Sequence, residues 1–413
     1  MDLVALADSA WKHDGPLVST RDPGLEVAEV GEGTAFVPSF ANVSAVATDD
    51  GLVLVDTGGW HLAEKAYEQL RHWSKDPVHT AVFTHGHIDH VFGMERYEAD
   101  AEAAGAARPR VVAHEAVDAR FDRYRLTAGY NGVINQRQFS LPRPTWPTEF
   151  RRPDLTYRDR LDLQIGGARF ELHHGKGETD DATWVYVPAR KTLLTGDMVI
   201  WCIPNAGNPQ KVQRYPVEWA QALRNMDTLG AELLLPGHGL PIFGAERVHQ
   251  LLDETATMLE SLVEQALSLL NEGARLDELI HSVKPPADLI NRAYLRPVYD
   301  EPEFVVHNIW RLYGGWYDGN PAHLKPAPDG ALALELAGLA GGASTLADRA
   351  LALAAQGDDA SMRLAGHLAE MAAQAAPDDE GVLQARSQVF AARAKVETSL
   401  MARGIFAAAA RET

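Results

Sequence analysis

The sequence predicts an α/β layered domain followed by an all-α domain, and three features carry that prediction. Short apolar runs that end in acidic or Gly-rich turns recur between about Val27 and Gly244, with helical periodicity between some of them. The segment Thr84-His85-Gly86-His87-Ile88-Asp89-His90 places four potential metal ligands directly after a β-branched run. From about Gly273 the chain becomes Ala- and Leu-rich at helical spacing.

Gly51 to Gly59 reads as a buried strand that delivers Asp56 at its end. Leu62, Ala66, Leu70 and Trp73 recur as in a helix over about His61 to Ser74, and Val78 to Thr84 is a second strand emptying into the histidine cluster. The cluster thereby falls at the carboxyl end of a strand, where open α/β layers collect ligands. Further on, Ala168 to His174 reads as a strand followed by a Gly-rich acidic turn carrying Glu178. Trp184 to Pro188 is another short strand, Lys191 to Asp197 a strand ending on a carboxylate, and Ala231 to Gly239 a strand terminated by His238. Taken singly, Asp197 fits a turn former, Glu178 a solvated loop charge and His238 a turn histidine. Taken together, seven ligand-type residues beside apolar strands are hard to explain without a metal.

The order Thr-His-x-His-x-Asp-His, Gly-Glu-Thr, Thr-Gly-Asp and Pro-Gly-His-Gly resembles the metallo-β-lactamase superfamily over about Val27 to Gly244. That resemblance implies an αβ/βα sandwich with two zinc ions at one edge of its facing sheets. It implies that His85, His87 and Glu178 hold one ion, that Asp89, His90 and His238 hold the other, and that Asp197 bridges them with a shared hydroxide. Asp89 and Asp197 are accordingly the expected catalytic residues. Zinc suits imidazole and carboxylate ligands, although iron or manganese could take the same positions. Two zinc ions would bring a bound water to a pKa of about 7 and stabilise charge on the attacking or leaving oxygen.

Glu178 narrows the resemblance, since β-lactam-opening members place His there whereas alkylsulfatases place Glu. Gly315-Trp-Tyr-Asp-Gly-Asn-Pro321, within Arg311 to Pro326, is similar to the signature that opens the alkylsulfatase dimerisation region. It is equally dense in turn formers, which fits an architectural role. The implied activity is hydrolysis of alkyl sulfate esters by attack of a zinc-bound hydroxide. The alternative is a hydrolase of another ester class: carboxylic ester, lactone, thioester or phosphoester. A non-catalytic dimer that keeps a metal for stability is the third reading. After Asp197 the chain departs from the alkylsulfatase pattern, with Pro204-Asn205 where the family has a His-Asn pair. Asn205 can still donate a hydrogen bond, Pro204 cannot transfer a proton, and only Gln210, Lys211 or Arg214 stands near the family's sulfate-binding Arg.

The segment Ala119 to Pro153 is the natural place for substrate contacts, as a loop-rich insertion folding over the metals. It is basic and aromatic, suiting an anionic head and an apolar tail, and Tyr130, Asn135 and Arg137 are chosen there as substrate-binding candidates beside Asn205. A solvated helix followed by a Pro-rich loop would look the same.

The two domains are expected at 1–273 and 274–413, since 413 residues exceed what one core usually organises and 46% apolar residues can fill two. In the second, Leu332, Leu336, Leu339, Leu351, Leu353, Leu364 and Leu368 supply apolar faces, with turns at 356–359 and 377–379. The stretch Ala350 to Gln388 weakly resembles a tetratricopeptide-like helix pair, and the region as a whole resembles the alkylsulfatase dimerisation domain, so a homodimer is expected. Larger alkylsulfatases continue into a sterol-carrier-like domain that this sequence does not include, which weakens the case for long-chain surfactants. A net charge of −19 argues against nucleic acid or an anionic membrane as partner but does not decide the substrate, for which the resemblance implies a small-molecule ester. Without a basic leader or a transmembrane run the expected location is cytoplasmic, and the single Cys202 rules out an intrachain disulfide.

Overall fold

The computed structural model describes residues 2–12 and 26–412. Seven strands form a first sheet in chain order: β1 (Ala28–Gly31), β2 (Thr34–Val37), β3 (Val43–Thr48), β4 (Gly51–Val55), β5 (Val78–Val82), β6 (Arg110–His114) and β7 (Leu155–Tyr157). β1 to β4 run as an antiparallel meander, and β4 to β7 are parallel. Gly51-Leu-Val-Leu-Val55 is buried along its whole length, because a parallel strand in the middle of a sheet is covered on both faces.

The second sheet contains β8 (Arg160–Ile165), β9 (Ala168–His174), β10 (Thr183–Val187), β11 (Thr192–Gly196), β12 (Leu233–Pro236) and β13 (Ile242–Phe243), again in chain order. Only β11 and β12 pair in parallel. Helices Ala63–Trp73, Met94–Ala103 and Ala116–Leu126 bury Ala66, Leu70, Met94, Tyr97, Val117 and Phe121 against the first sheet. Helices Pro216–Asp227 and Ala245–Asn271 pack on each other, and the latter lies on β12 and β13. This is the αβ/βα sandwich. Its two sheets are tied at the ends that matter: Thr183 N donates to Thr84 O at 2.6 Å, and Asn42 Nδ2 donates to both Pro236 O and Gly239 O at 3.0 Å.

The described chain packs as two compact units. One comprises Met1–Ala128, Pro147–Glu272 and Leu279–Tyr313; the other comprises Gly129–Trp146, Gly273–Glu278 and Gly314–Thr413. The expected boundary at 273/274 falls where the chain leaves the first unit after Glu272, and Leu279–Tyr313 then returns to it. The segment expected to be a loop-rich insertion is largely helical, as Ala116–Leu126 and Ala128–Phe139, and the second of these helices belongs to the other unit.

The second unit is helical, with Asp329–Ala340, Ala343–Ala354, Asp359–Ala375, Glu380–Val396 and Leu400–Ala409 as its main elements. Three of these helices start at caps written in the sequence: Asp358 accepts from Ser361 N, Asp379 from Val382 N and Ser399 from Ala402 N. The expected leucine faces need correction. Leu332, Leu336 and Leu339 are exposed, as is Leu364, and it is Ala333 and Ala337 that face inward on Asp329–Ala340. The interior is built largely from alanines, whose small side chains let helix axes approach closely, and of the expected leucines Leu353 is buried while Leu351 and Leu368 pack half-buried against it. No single helix among the described residues is long and apolar enough to cross a membrane.

Candidate metal centre

The strand ends of the first unit bring all seven expected ligands together. His85, His90 and Asp197 offer ligand atoms within 4.8 Å of one another, as do Asp89, His90 and His238, and also His87, Glu178 and Asp197. Asp197 stands at the middle: its Oδ1 is 3.3 Å from both His90 Nε2 and His238 Nε2, and its Oδ2 is 3.6 Å from His85 Nε2. Asp89 Oδ2 is 3.7 Å from His90 Nε2 and 3.5 Å from His238 Nε2. His87 Nδ1 lies 2.8 Å from His85 Nε2.

The close approach of β5 and β11 explains a glycine. Gly196 has a φ of 50°, and a Cβ there would stand 2.6 Å from the Cβ of Thr84, so only glycine lets Asp197 lean over the histidine loop.

Each imidazole that points Nε2 at the centre has its other nitrogen occupied. His85 Nδ1 meets Thr84 Oγ1 at 3.0 Å, His90 Nδ1 meets Asp56 Oδ2 at 2.7 Å, and His238 Nδ1 bonds the carbonyl of Phe40. Such outer partners fix ring orientation and tautomer in metal sites. Asp56 also accepts from the amide and hydroxyl of Thr84, both at 2.7 Å, and holds a left-handed φ of 61° to do so. Its place at the end of β4 is readable from the sequence; its grip on His90 is not. Arg120 likewise has no sequence signal beyond its charge. It is buried, bonds Asp181 at 2.7 Å and pairs with Asp180, and Asp181 in turn accepts from Gly86 N at 3.1 Å, so the pair holds the loop between His85 and His87.

Electrostatics divides the ligands. Burial pushes His85 and His87 down, His87 well below the usual imidazole range, with neighbouring cationic groups adding to it. Burial also pushes against His90 and His238, but the surrounding carboxylates together raise both: Asp197 with Asp56 and Asp89 for His90, Asp197 with Asp89 for His238. Asp197 itself is held well below the usual carboxylate range, because His238, His90 and His85 together overcome its desolvation. Burial pushes Glu178 the other way, up to about 8 against the opposing charge of Arg214.

The donor set suits a divalent cation on one plain observation. His90 Nε2 and Asp197 Oδ1 are buried, face each other and have no hydrogen-bond partner. Orphaned polar atoms at a convergence of imidazoles and carboxylates are what a cation satisfies.

The other candidates fall elsewhere. Asn205 is buried and donates Nδ2 to Glu178 Oε1, so its amide orients a ligand-type carboxylate. Tyr130 and Arg137 are exposed and Asn135 donates to Asn131 O at 2.8 Å; all three lie on Ala128–Phe139, in the second unit. Arg214 is buried, with Nη2 3.1 Å from Glu178 Oε1.

Residues 37–238 match the metallo-β-lactamase superfamily model, and residues 275–413 match the model for alkyl sulfatase dimerisation. The chain thus carries a metallo-β-lactamase domain followed by an alkyl sulfatase dimerisation domain. It is 27% identical over 318 residues to a linear primary-alkylsulfatase of Pseudomonas sp., covering 72% of this chain and 60% of that protein. It is 25% identical over 338 residues to an alkyl/aryl-sulfatase of Saccharomyces cerevisiae, covering 75% and 52%. The solved structure of a stereoselective inverting sec-alkylsulfatase from Pseudomonas sp. superposes with a TM-score of 0.83 at 23% identity, over 98% of this chain and 70% of that one. The chain thus spans between about half and three fifths of the length of these two curated relatives.

Proposed function

We propose that this chain is a dinuclear metal-dependent hydrolase of alkyl sulfate esters. The observation that carries the reading is the position of Asp197, one carboxylate within 3.6 Å of three imidazole Nε2 atoms and shared between groups drawn from both expected ligand sets. His85, His87 and Glu178 would hold one ion, Asp89, His90 and His238 the second, and Asp197 would bridge them, zinc being favoured by this mix of donors. Two bound divalent ions would supply an activated water and offset the charge developing on the ester oxygens.

The chain's own contribution is orientation. Thr84, Asp56 and the Phe40 carbonyl fix the rings, the Arg120–Asp181 pair fixes the loop that bears them, and Asn205 and Arg214 fix Glu178. Lys211 adds a cationic group that acts electrostatically with Glu178 and Asp89; burial pushes its ammonium down to about 8, with Arg214 beside it contributing. A cation at this place favours an anionic ester over the neutral alternatives and works against the net charge of −19.

The alkylsulfatase relatives support sulfate as the leaving or attacked group. One observation favours the second reading, hydrolysis of another ester class: Arg214 has a guanidinium nitrogen committed to Glu178, and Pro204 offers no proton. The dimerisation-family match and the exposed leucines of Asp329–Ala340 support a homodimer.

The deciding experiment is a substrate panel with zinc-loaded protein: alkyl sulfates of graded chain length, aryl sulfates, carboxylic esters, lactones, thioesters and phosphodiesters. Sulfate release at about 1 per second or faster is expected for a short or medium alkyl sulfate. Turnover of another class at that rate, without detectable sulfate release, would overturn the sulfatase assignment and leave the metal centre standing.

A further inference from the structure

The helix Pro302–Gly314 and the segment before it lie within the residues matched to the dimerisation family, yet Leu279–Tyr313 packs in the unit that holds the metal cluster. Besides its contacts with the helix Ala245–Asn271, through Lys284, Arg292 and Tyr294, it holds one loop, residues 203–214. Ile203 N donates to Arg296 O at 3.2 Å, and Gly207 N donates to the buried carboxylate of Asp300 at 2.6 Å. A Cβ on Gly207 would collide with the backbone of Phe304 and Val305, so this loop lies flat on the first turn of the helix. At its far end, Asn308 treats Arg214 as a strand would: Oδ1 accepts from Arg214 N at 3.2 Å, and Nδ2 donates to Arg214 O at 3.0 Å. Gln213 completes the clasp, its Nε2 donating to Asn308 Oδ1 at 2.9 Å.

The loop held at these three points carries both residues that donate to Glu178. Asn205 Nδ2 and Arg214 Nη2 converge on the same atom, Glu178 Oε1. A carboxylate with one oxygen pinned by two donors presents the other in a fixed direction. Asn308 touches neither Glu178 nor the histidines in this arrangement; it acts through the backbone of Arg214.

We propose that Asn308, with Asp300 as its counterpart at the other end of the clasp, is a positioning residue for Glu178, so that the segment matched to the dimerisation family sets the geometry of one of the two ion sites. The proposal rests on the reading of Glu178 as a ligand.

The experiment compares full-length wild type with Asn308→Ala and Asn308→Asp, measuring zinc stoichiometry by elemental analysis, zinc affinity by competition with a chelator, and melting with and without excess chelator. The wild type is expected to hold two ions. In Asn308→Ala one ion is expected to weaken about 10- to 100-fold while the other keeps its affinity, and zinc should raise the melting temperature less than in the wild type. Asn308→Asp keeps the acceptor for Arg214 N and loses the donor to Arg214 O; a smaller loss at the same single site is expected, and this variant decides the matter if the alanine protein does not fold. Unchanged affinity at both sites would overturn the proposal and leave the metal centre intact. Equal weakening of both ions, with chelated protein melting lower in parallel, would reduce Asn308 to a structural role. A wild type that takes up no zinc would remove the ligand reading of Glu178, and the proposal with it.

Discussion

In the first unit the interior contains His85, His90, Asp56, Glu178, Asp181, Asp197, Arg120 and Arg214, whereas in the helical unit it is made chiefly of Ala333, Ala337, Ala350, Ala365, Ala369 and Ala372. The large apolar residues of the helical unit stand partly outside: Leu339 is 80% exposed, Leu334 61% and Leu364 55%. Burying charge costs several kcal/mol per group unless it is paired, so polar interiors persist where they perform chemistry. Exposed leucines cost the isolated chain little in folding, but they are the material of an interface. One unit therefore buries polar and charged groups, and the other leaves apolar surface exposed.

The contrast is broken most sharply at Asp197. Asp197→Ala is expected to lower turnover by at least about 10³-fold, because it removes the carboxylate placed between the two ligand groups. Circular dichroism should stay close to wild type, since Asp197 stands just past the end of β11 and its carboxylate faces imidazoles rather than the apolar core. A variant retaining most activity would put the chemistry elsewhere.

A second test uses pH. Burial pushes the Asp300 carboxyl up to about 7, against hydrogen bonds from Glu301 N and Gly207 N, from about 3.8 in the unfolded chain. A carboxyl raised in the folded state binds more protons there than in the unfolded chain, so stability is full below pH 4 and declines as pH rises towards 7. The ceiling on that decline is on the order of 4 kcal/mol, at about 1.4 kcal/mol per unit. Asp300→Asn should lose this slope, seen as denaturant midpoints of the two proteins diverging between pH 4 and 7 in favour of the asparagine. Parallel curves would mean that Asp300 ionises without penalty.

The smallest expected effect on folding is in the helical unit. Leu339→Asn should change the unfolding free energy by no more than about 0.5 kcal/mol, as surface substitutions do, while weakening self-association in sedimentation. A large loss of stability with unchanged association would show that Leu339 packs within its own unit.

How much of this is legible in the sequence differs between the regions for the same reason. β4, β5, β9, β11 and β12 are readable because each is a short run ending at or just before a ligand-type residue or its turn, and β10 because its apolar run stops at Pro188. β1 to β3 and β8 are not singled out: they are short or alternate with polar residues, and their pairing comes from the meander. The ligand set is legible because imidazoles and carboxylates at strand ends are rare. Asp56, Arg120, Asp181 and Arg214 are not, since what each does depends on a partner 34, 61, 95 or 36 positions away. In the helical unit the spacing of Leu332, Leu336 and Leu339 marks a helix correctly, but periodicity alone does not say whether a face meets the interior or the outside. Tyr130, Asn135 and Arg137 are chosen on composition, which has no direction in space; the helix that bears them packs in the second unit.

The amide of Asn42 has one more consequence. It bonds Pro236 O and Gly239 O across separations of 194 and 197 residues, clamping the turn that presents His238. Closing so long a loop is entropically slow, whereas Thr84 to His90 needs only its own strand and turn. The clamp therefore fixes His238 by ordering a long loop, while His85, His87 and His90 share one short segment.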